Sequence, residues 1–450
     1  MPFPAIRRTV LALSVLCAAP AWAQTAANMA TLKGLSPLAA LPNSDAGRAA
    51  LAANFAITGA IQSGAQRPAT PLPFADQQQL ALRDAFITGG NAAELADGLG
   101  TRLGGAYQSL ARYTTPREFT SATPAVGALI GYSNATTASD SNSGKYFFAN
   151  GTLDGEKPVS PAAAALLSGG AKADVFGTAY GRPAGSPGAD EFGNSRPFQT
   201  EPSLTPIAGP DYFGTASDNL AQLKGPGADL RDSPSFPSGH TTYGTMESML
   251  LGILVPERYE QMAARGAEYG HSRILLGAHY AMDVIAGRTL ALHDLAHLLA
   301  NDPAYVNQVR RGTTIADYPA AIEDARAGLQ AALSTACGDV LLVCAREDTG
   351  RFADTASLEA FIAVTLTYGL PVVHAATAVG TEDVGGLAPE AGRLLTAAFP
   401  YLSLDQANAI LTETEGPGGG FLDDGSAFGV YSRLDLYSAG RKARALAPAK

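Results

Sequence analysis

Ser235-Phe236-Pro237-Ser238-Gly239-His240 runs into T-T-Y-G-T-M-E-S-M-L-L over residues 241–251. A proline-serine-glycine turn followed by a helical pattern is a helix start, and the first turn of a helix leaves backbone N–H groups unpaired. Those donors, with the helix dipole, attract an anion. Gly239 permits close backbone approach, Ser238 adds a hydroxyl, and His240 is placed to protonate a bound group. Read alone, the same residues also describe a capped helix with an incidental histidine.

A second segment lies downstream, with 31 residues between His240 and Ser272: S-R-I-L-L-G-A-H-Y-A-M-D, residues 272–283. It combines a cation, a histidine and a carboxylate. His279 and Asp283 are four apart, so on a helix they share one face. A carboxylate at that spacing can hold one imidazole N–H, fix the tautomer and leave the other nitrogen free as a nucleophile. Arg273 is a forked donor suited to a tetrahedral oxyanion. The bland alternative is a surface helix with an i,i+4 ion pair.

Outward from these segments the pattern is helical. Helices are expected over Ala46–Ile61, Phe74–Ile87, Asn91–Tyr113, Ala320–Leu333 and Ser357–Tyr368, with Ser160-Pro161 opening another. In the 91–113 stretch Leu95, Leu99, Leu103, Tyr107 and Leu110 recur every three or four residues, and Asn91 with Glu94 resembles a capping box. Asn134–Gly144 reads as a polar loop, and residues 181–212 as a Gly/Pro-rich connection. Sustained alternation of apolar and polar residues is rare, so the expected class is all-α. Gly418-Gly419-Gly420 lacks the lysine and serine of a nucleotide loop.

Composition bounds the rest. The chain has 450 residues, a net charge of −10, 46% hydrophobic and 16% charged residues. Such a chain is not disordered as a whole, and its acidity argues against a nucleic-acid partner. Residues 1–23 read as a signal peptide: Arg7 and Arg8, a short apolar run, then Ala21-Trp22-Ala23 before Gln24. Its removal takes two arginines and no acids, giving −12. Export implies a periplasmic or secreted protein, and makes a Cys337–Cys344 bridge the favoured state over two free thiols. The uncharged stretch 361–380 carries Gly369-Leu370-Pro371 at its centre, so a buried helix, a turn and a second buried segment are expected rather than a membrane span. His293-Asp294-Leu295-Ala296-His297 places two histidines at i,i+4, but with Asp at the middle and no third ligand signalled it is read as structural, not metal-binding. His271 and His374 default to structural roles.

Together, P-S-G-H and the downstream S-R-x5-H-x3-D resemble the motifs of the type 2 phosphatidic acid phosphatase (PAP2) superfamily, which includes bacterial non-specific acid phosphatases, membrane lipid phosphatases and vanadium haloperoxidases. Both motifs match without substitution. T-Y-G-L-P (367–371) and F-P-Y-L (399–402) extend the likeness weakly toward the C-terminus. The resemblance implies a helical bundle of the acid phosphatase/haloperoxidase type with long loops. It reads residues 24–450 as a single helical domain, with a motif core at about 166–300 and a helical extension over 301–450.

The family's first motif, K-x6-R-P, is broken here. Neither Arg182-Pro183 nor Arg196-Pro197 has a lysine seven residues earlier. Lys172, on the helix opened by Pro161, is the chosen lysine, and Arg196 is preferred to Arg182. By resemblance His279 attacks phosphorus, Asp283 orients it and His240 is the general acid. Lys172, Arg196, Arg273, Ser238 and the Gly239 N–H bind the phosphoryl oxygens. The implied activity is metal-independent acid phosphatase action on small phosphorylated substrates, with no cofactor. A vanadate-dependent haloperoxidase and a lipid phosphate phosphatase stand as alternatives. The natural substrate and oligomeric state are not given by these residues.

Overall fold

The computed structural model describes residues 25–448, apart from 69, 71, 87, 88, 171, 172, 174, 180–185, 187–190, 202, 203 and 225–228. The N-terminal segment read as a signal peptide, Lys172 and Arg182 thus lie outside the described residues.

The architecture is all-α. The helices that build the site region are α1 (Asp45–Gln62), α2 (Phe74–Arg83), α3 (Pro124–Asn150), α4 (Gly239–Leu254), α5 (Tyr259–Leu275) and α6 (Ala281–Leu299). After them come α7 (Tyr318–Cys337), α8 (Thr355–Thr367) and α9 (Leu436–Ala445), with shorter helices between. Strands among the described residues are small antiparallel pairs: β1 (Tyr113–Thr115) with β2 (Glu118–Phe119), β3 (Ala208–Pro210) with β4 (Ala216–Asp218), and β5 (Val309–Arg310) with β6 (Thr313–Thr314).

Helix α4 is the central element and packs along α5, α6 and α3. It is buried from His240 to Leu254 except at Tyr243, as expected of a helix apolar on nearly every face. Small residues let its neighbours come close. A Cβ at Gly244 would enter the Tyr269 ring of α5, and a Cβ at Gly287 of α6 would stand 2.5 Å from the Ser238 carbonyl oxygen. Helix α9 lies against α5, where Arg444 pairs with Glu260 through Nε–Oε1 at 2.7 Å. Tyr259 of α5 donates to the Leu394 carbonyl at 3.0 Å. The C-terminal third therefore covers the motif-bearing helices. Cys337 and Cys344 form a disulfide at the end of α7. Among the described residues, no helix is long and apolar enough to cross a membrane.

The helices expected over 46–61, 320–333 and 357–368 are present as α1, α7 and α8. Three expectations are corrected. Residues 134–144 are not a loop but the middle of α3, which Thr123 caps and Gly151 ends at φ 77°. Their polar side chains find partners across the bundle, as when Asn134 Nδ2 donates to Glu247 Oε1 at 2.6 Å. Tertiary hydrogen bonding overrides a loop-like composition there. Residues 91–113 are not one helix: a 3-10 turn at Ala96–Leu99 and Gly100 at φ 90° precede a helix over Thr101–Leu110, and Tyr113 begins β1. Asn91 Oδ1 accepts from Ala93 N at 3.0 Å, whereas neither Glu94 carboxyl oxygen has a hydrogen-bond partner among the described residues. Finally, α8 ends at Tyr368 and Gly369, both at positive φ, and the chain beyond them is not a second buried segment but runs along the surface: Val372 is 50% and Val379 86% exposed.

Candidate active site

The two motifs meet where α4 begins and α5 turns into α6. Ser238 is the N-cap of α4, its Oγ accepting from Thr241 N at 3.1 Å. The Ser238 N–H in turn donates to the Asp283 carbonyl at 3.0 Å, which ties the first motif to the second. The spacing S-R-x5-H has a local cause. After α5 the chain reverses through Gly277 at φ 78°, and both Ala278 N and His279 N donate to the Arg273 carbonyl, at 3.0 and 3.2 Å. His279 is thus folded back over the arginine six residues before it.

His279 precedes α6 rather than riding on it. The expected helical face is replaced by a cap: Asp283 is the third residue of α6, and its Oδ2 accepts from Tyr280 N at 2.8 Å. The same oxygen lies 3.4 Å from His279 Nδ1 and accepts from Ser235 Oγ, which is itself 3.3 Å from His279 Nδ1. His279 and Asp283 are both fully buried. This places one imidazole nitrogen against a carboxylate and a hydroxyl, and leaves Nε2 facing the other way.

Facing Nε2 are Arg196 Nη1 at 3.0 Å and His240 Nδ1 at 3.3 Å. Arg196 is fully buried and held by backbone oxygens: Nε donates to Ser233 O at 2.8 Å, Nη1 to Ala278 O at 3.1 Å, and Nη2 to Pro234 O at 3.2 Å. Arg273, at 1% exposure, donates Nη2 to the Asp84 carbonyl and lies 4.6 Å over the Tyr269 ring. A Cβ at Gly239 would stand 3.6 Å from Lys145 Nζ.

Lys145 and Ser235 are not among the residues that the motifs single out. Lys145 sits near the end of α3, 7% exposed, just beyond the polar stretch whose composition suggests a loop. Its one sequence signal is that it is the lone cation between Pro124 and Asn150. Ser235 is the first letter of the S-F-P-S-G-H segment, and nothing in the spacing marks it as a carboxylate partner. The bonded neighbours of this site are thus His279, His240, Asp283, Ser238, Arg196, Ser235 and, through charge, Lys145 and Arg273.

Electrostatics follows from burial and from gathered cations. Burial pushes the His279 imidazole well below its usual range, and Arg196, His240, Lys145 and Arg273 add to this. Burial does the same to His240, with Arg273, Arg196 and Lys145 reinforcing it. Burial and Arg196 lower Lys145, while Asp283 partly restores it. Burial raises the Asp283 carboxyl to about 6, although the hydrogen bonds from Ser235 and Tyr280 pull the other way. At neutral pH the pair is therefore a carboxylate and a neutral imidazole, beside the charges of Arg196, Arg273 and Lys145.

The other histidines have local explanations. His293 Nδ1 lies 3.2 Å from Asp294, and His297 Nδ1 lies 2.8 Å from Asp302. No group of three metal-ligating side chains placed to hold an ion occurs among the described residues. His271 packs between Phe361 and Tyr368, and burial lowers it to about 4.

Comparison with known proteins agrees with the motif reading. The PAP2 superfamily model matches residues 188–300. The chain is 46% identical over 69 residues to a non-specific acid phosphatase of Salmonella typhimurium, covering 15% of this chain and 28% of that one. It is 32% identical over 100 residues to a non-specific acid phosphatase of Providencia stuartii, 22% of this chain and 38% of that one. An acid phosphatase of Zymomonas mobilis is 33% identical over 117 residues, 26% of this chain and 39% of that one. The chain thus spans well under half the length of these curated relatives. Each match falls to a stretch of no more than 117 residues. Both motifs fold against one another inside residues 188–300, the stretch that resembles the PAP2 superfamily.

Proposed function

We propose that the protein is a phosphoric monoester hydrolase that works through a phosphohistidine. The observation that carries this reading is the setting of His279: Nδ1 faces Asp283 and Ser235, while Nε2 faces Arg196 and His240. The Nε2 lone pair forms the N–P bond as the P–O bond to the leaving alcohol breaks. His240 gives its proton to the departing oxygen. Water then attacks phosphorus, His240 takes its proton, and the N–P bond breaks to release phosphate.

Phosphoryl transfer asks mainly for positioning and positive charge. Arg196, Arg273 and Lys145, with the N–H groups at the start of α4, supply both. Lys145 takes the role expected of Lys172. The substrate class is small phosphorylated molecules. The proposed setting is periplasmic or secreted, after loss of residues 1–23, and residues 24–450 are taken as one helical unit. The relatives are acid phosphatases, which points the same way.

The test is hydrolysis of a chromogenic phosphomonoester with excess chelator, beside His279→Ala. Activity that persists under chelation and vanishes in the variant is expected. Equal activity in both proteins sinks the nucleophile assignment. Peroxide-dependent halide oxidation after vanadate loading, without hydrolysis, assigns the chain to haloperoxidase chemistry instead.

A further inference from the structure

Arg273 reaches the site from the last turn of α5, and its orientation is set from outside the two motifs. Its Nη2 donates to the carbonyl of Asp84, the residue that ends α2. Asp84 is itself fully buried, and its carboxyl is held by three donors. Arg265 Nη1 reaches Oδ2 at 3.0 Å, and Arg265 Nη2 reaches Oδ1 at 2.5 Å. Ser272 Oγ donates to Oδ2 at 2.8 Å. Arg265, at 1% exposure, is anchored in turn through Nε to Asp97 Oδ1 at 2.7 Å. Asp97 also pairs with Arg351 Nη2 at 2.9 Å.

Arg265 and Ser272 lie seven residues apart, two turns of one α5 face, so both can grip one carboxyl. That grip fixes the Asp84 peptide, and the Asp84 carbonyl then holds one arm of the Arg273 fork. The Tyr269 ring, 4.6 Å away, covers a face of the guanidinium. Among the described residues Arg273 Nε has no hydrogen-bond partner. A guanidinium fixed at one arm and one face, with a donor left over, is prepared for an oxyanion and loses little freedom on binding it. The arrangement also explains the serine of S-R-x5-H, which docks the end of α5 on Asp84.

We infer that Asp84 is the positioning residue for Arg273, acting through its backbone carbonyl, while Arg265 and Ser272 fix its carboxyl. This rests on the phosphatase reading, which gives Arg273 its oxyanion. The test is a double-mutant cycle read by calorimetric binding of inorganic phosphate, with kcat and KM on a chromogenic monoester measured alongside. Asp84→Asn is expected to weaken phosphate binding about 10-fold in the wild-type background, and less than about 2-fold in Arg273→Ala, because coupled neighbours are non-additive. Ser272→Ala leaves the Arg265–Asp84 pair intact and carries the same cycle if Asp84→Asn does not fold, with a smaller loss of the same sign.

Equal factors in both backgrounds would mean that Asp84 only supports the fold, and would overturn the inference. So would unchanged phosphate affinity in Ser272→Ala and Asp84→Asn. A wild-type chain that neither binds phosphate nor hydrolyses the monoester removes the phosphatase reading, and this inference with it. A wild type active on the monoester beside additive variants removes the inference alone.

Discussion

Arg196 Nη1 lies 3.0 Å from His279 Nε2, on the side of the ring opposite Asp283. A guanidinium cannot accept a hydrogen bond, so it donates, and Nε2 must be the unprotonated nitrogen. The proton of the neutral ring then sits on Nδ1, toward Asp283 and Ser235. That tautomer is the one a nucleophile needs, and it is imposed by neighbours rather than by titration. In the proposed mechanism an incoming phosphoryl group replaces one contact of Nε2 and gains the Arg196 donor at the same place.

Lys145 is expected to belong to the phosphate site. It is buried beside Gly239 and feels Arg196 and Asp283. Lys145→Met keeps the volume and removes the charge. It should lower kcat/KM by about 10²-fold and raise the inhibition constant of phosphate, as loss of one oxyanion donor does. Unchanged inhibition by phosphate would place Lys145 outside the site.

Phosphate binding should take up a proton. Burial and three cations hold His240 well below its usual range. At pH 6 it is therefore largely neutral. A bound phosphate counters the cations and raises its affinity for a proton. Calorimetry in buffers of different ionisation heat should show net uptake near pH 6, reduced in His240→Asn. No uptake, or the same uptake in the variant, contradicts the general-acid role.

The stability of the fold should fall as pH rises through neutrality toward 8. Asp140 of α3 and Asp294 of α6 lie close enough inside the bundle to perturb each other, and burial raises Asp294 to about 8. Asn28 Nδ2 donates to Asp140, His293 faces Asp294 at 3.2 Å, and the Arg310 charge acts on both. The folded pair keeps a proton that the unfolded chain has lost above its ordinary carboxyl range. That stabilisation is complete at low pH and fades as pH rises toward 8, at no more than about 1.4 kcal/mol per pH unit for one proton. His271 and His293, lowered to about 4, act in the opposite sense, but only between about 4 and 6.5. Between about pH 6.5 and 8 the melting temperature should therefore drop, and Asp294→Asn should flatten that drop. A variant with the wild-type slope excludes the pair as its source.

Much of this architecture is legible in the residues. The all-α class follows from helical periodicity, and both motifs carry the groups that meet at His279. Two things are hidden for physical reasons. The polar run at 134–144 has the composition of a loop, because its partners are residues such as Glu247, more than a hundred positions away. Lys145 is hidden with it, and Lys172, to which the broken first motif points, lies outside the described residues. The spacing of His279 and Asp283 suggests an i,i+4 helix face, yet their pairing arises from a cap, since the turn at Gly277 ends α5 and Tyr280 precedes α6. Local spacing names the partners without naming the geometry. Asp84 offers no signal at all, because it acts through a backbone carbonyl.

The covalent step is tested most directly by rapid acid or alkaline quenching of the enzyme during turnover of a radiolabelled phosphomonoester. Protein-bound label that is lost in acid, survives alkali and maps to the peptide containing His279 is the expected result, with none in His279→Ala. Full turnover by wild type with no such label at any quench time, or label that persists in His279→Ala, would contradict the phosphohistidine mechanism.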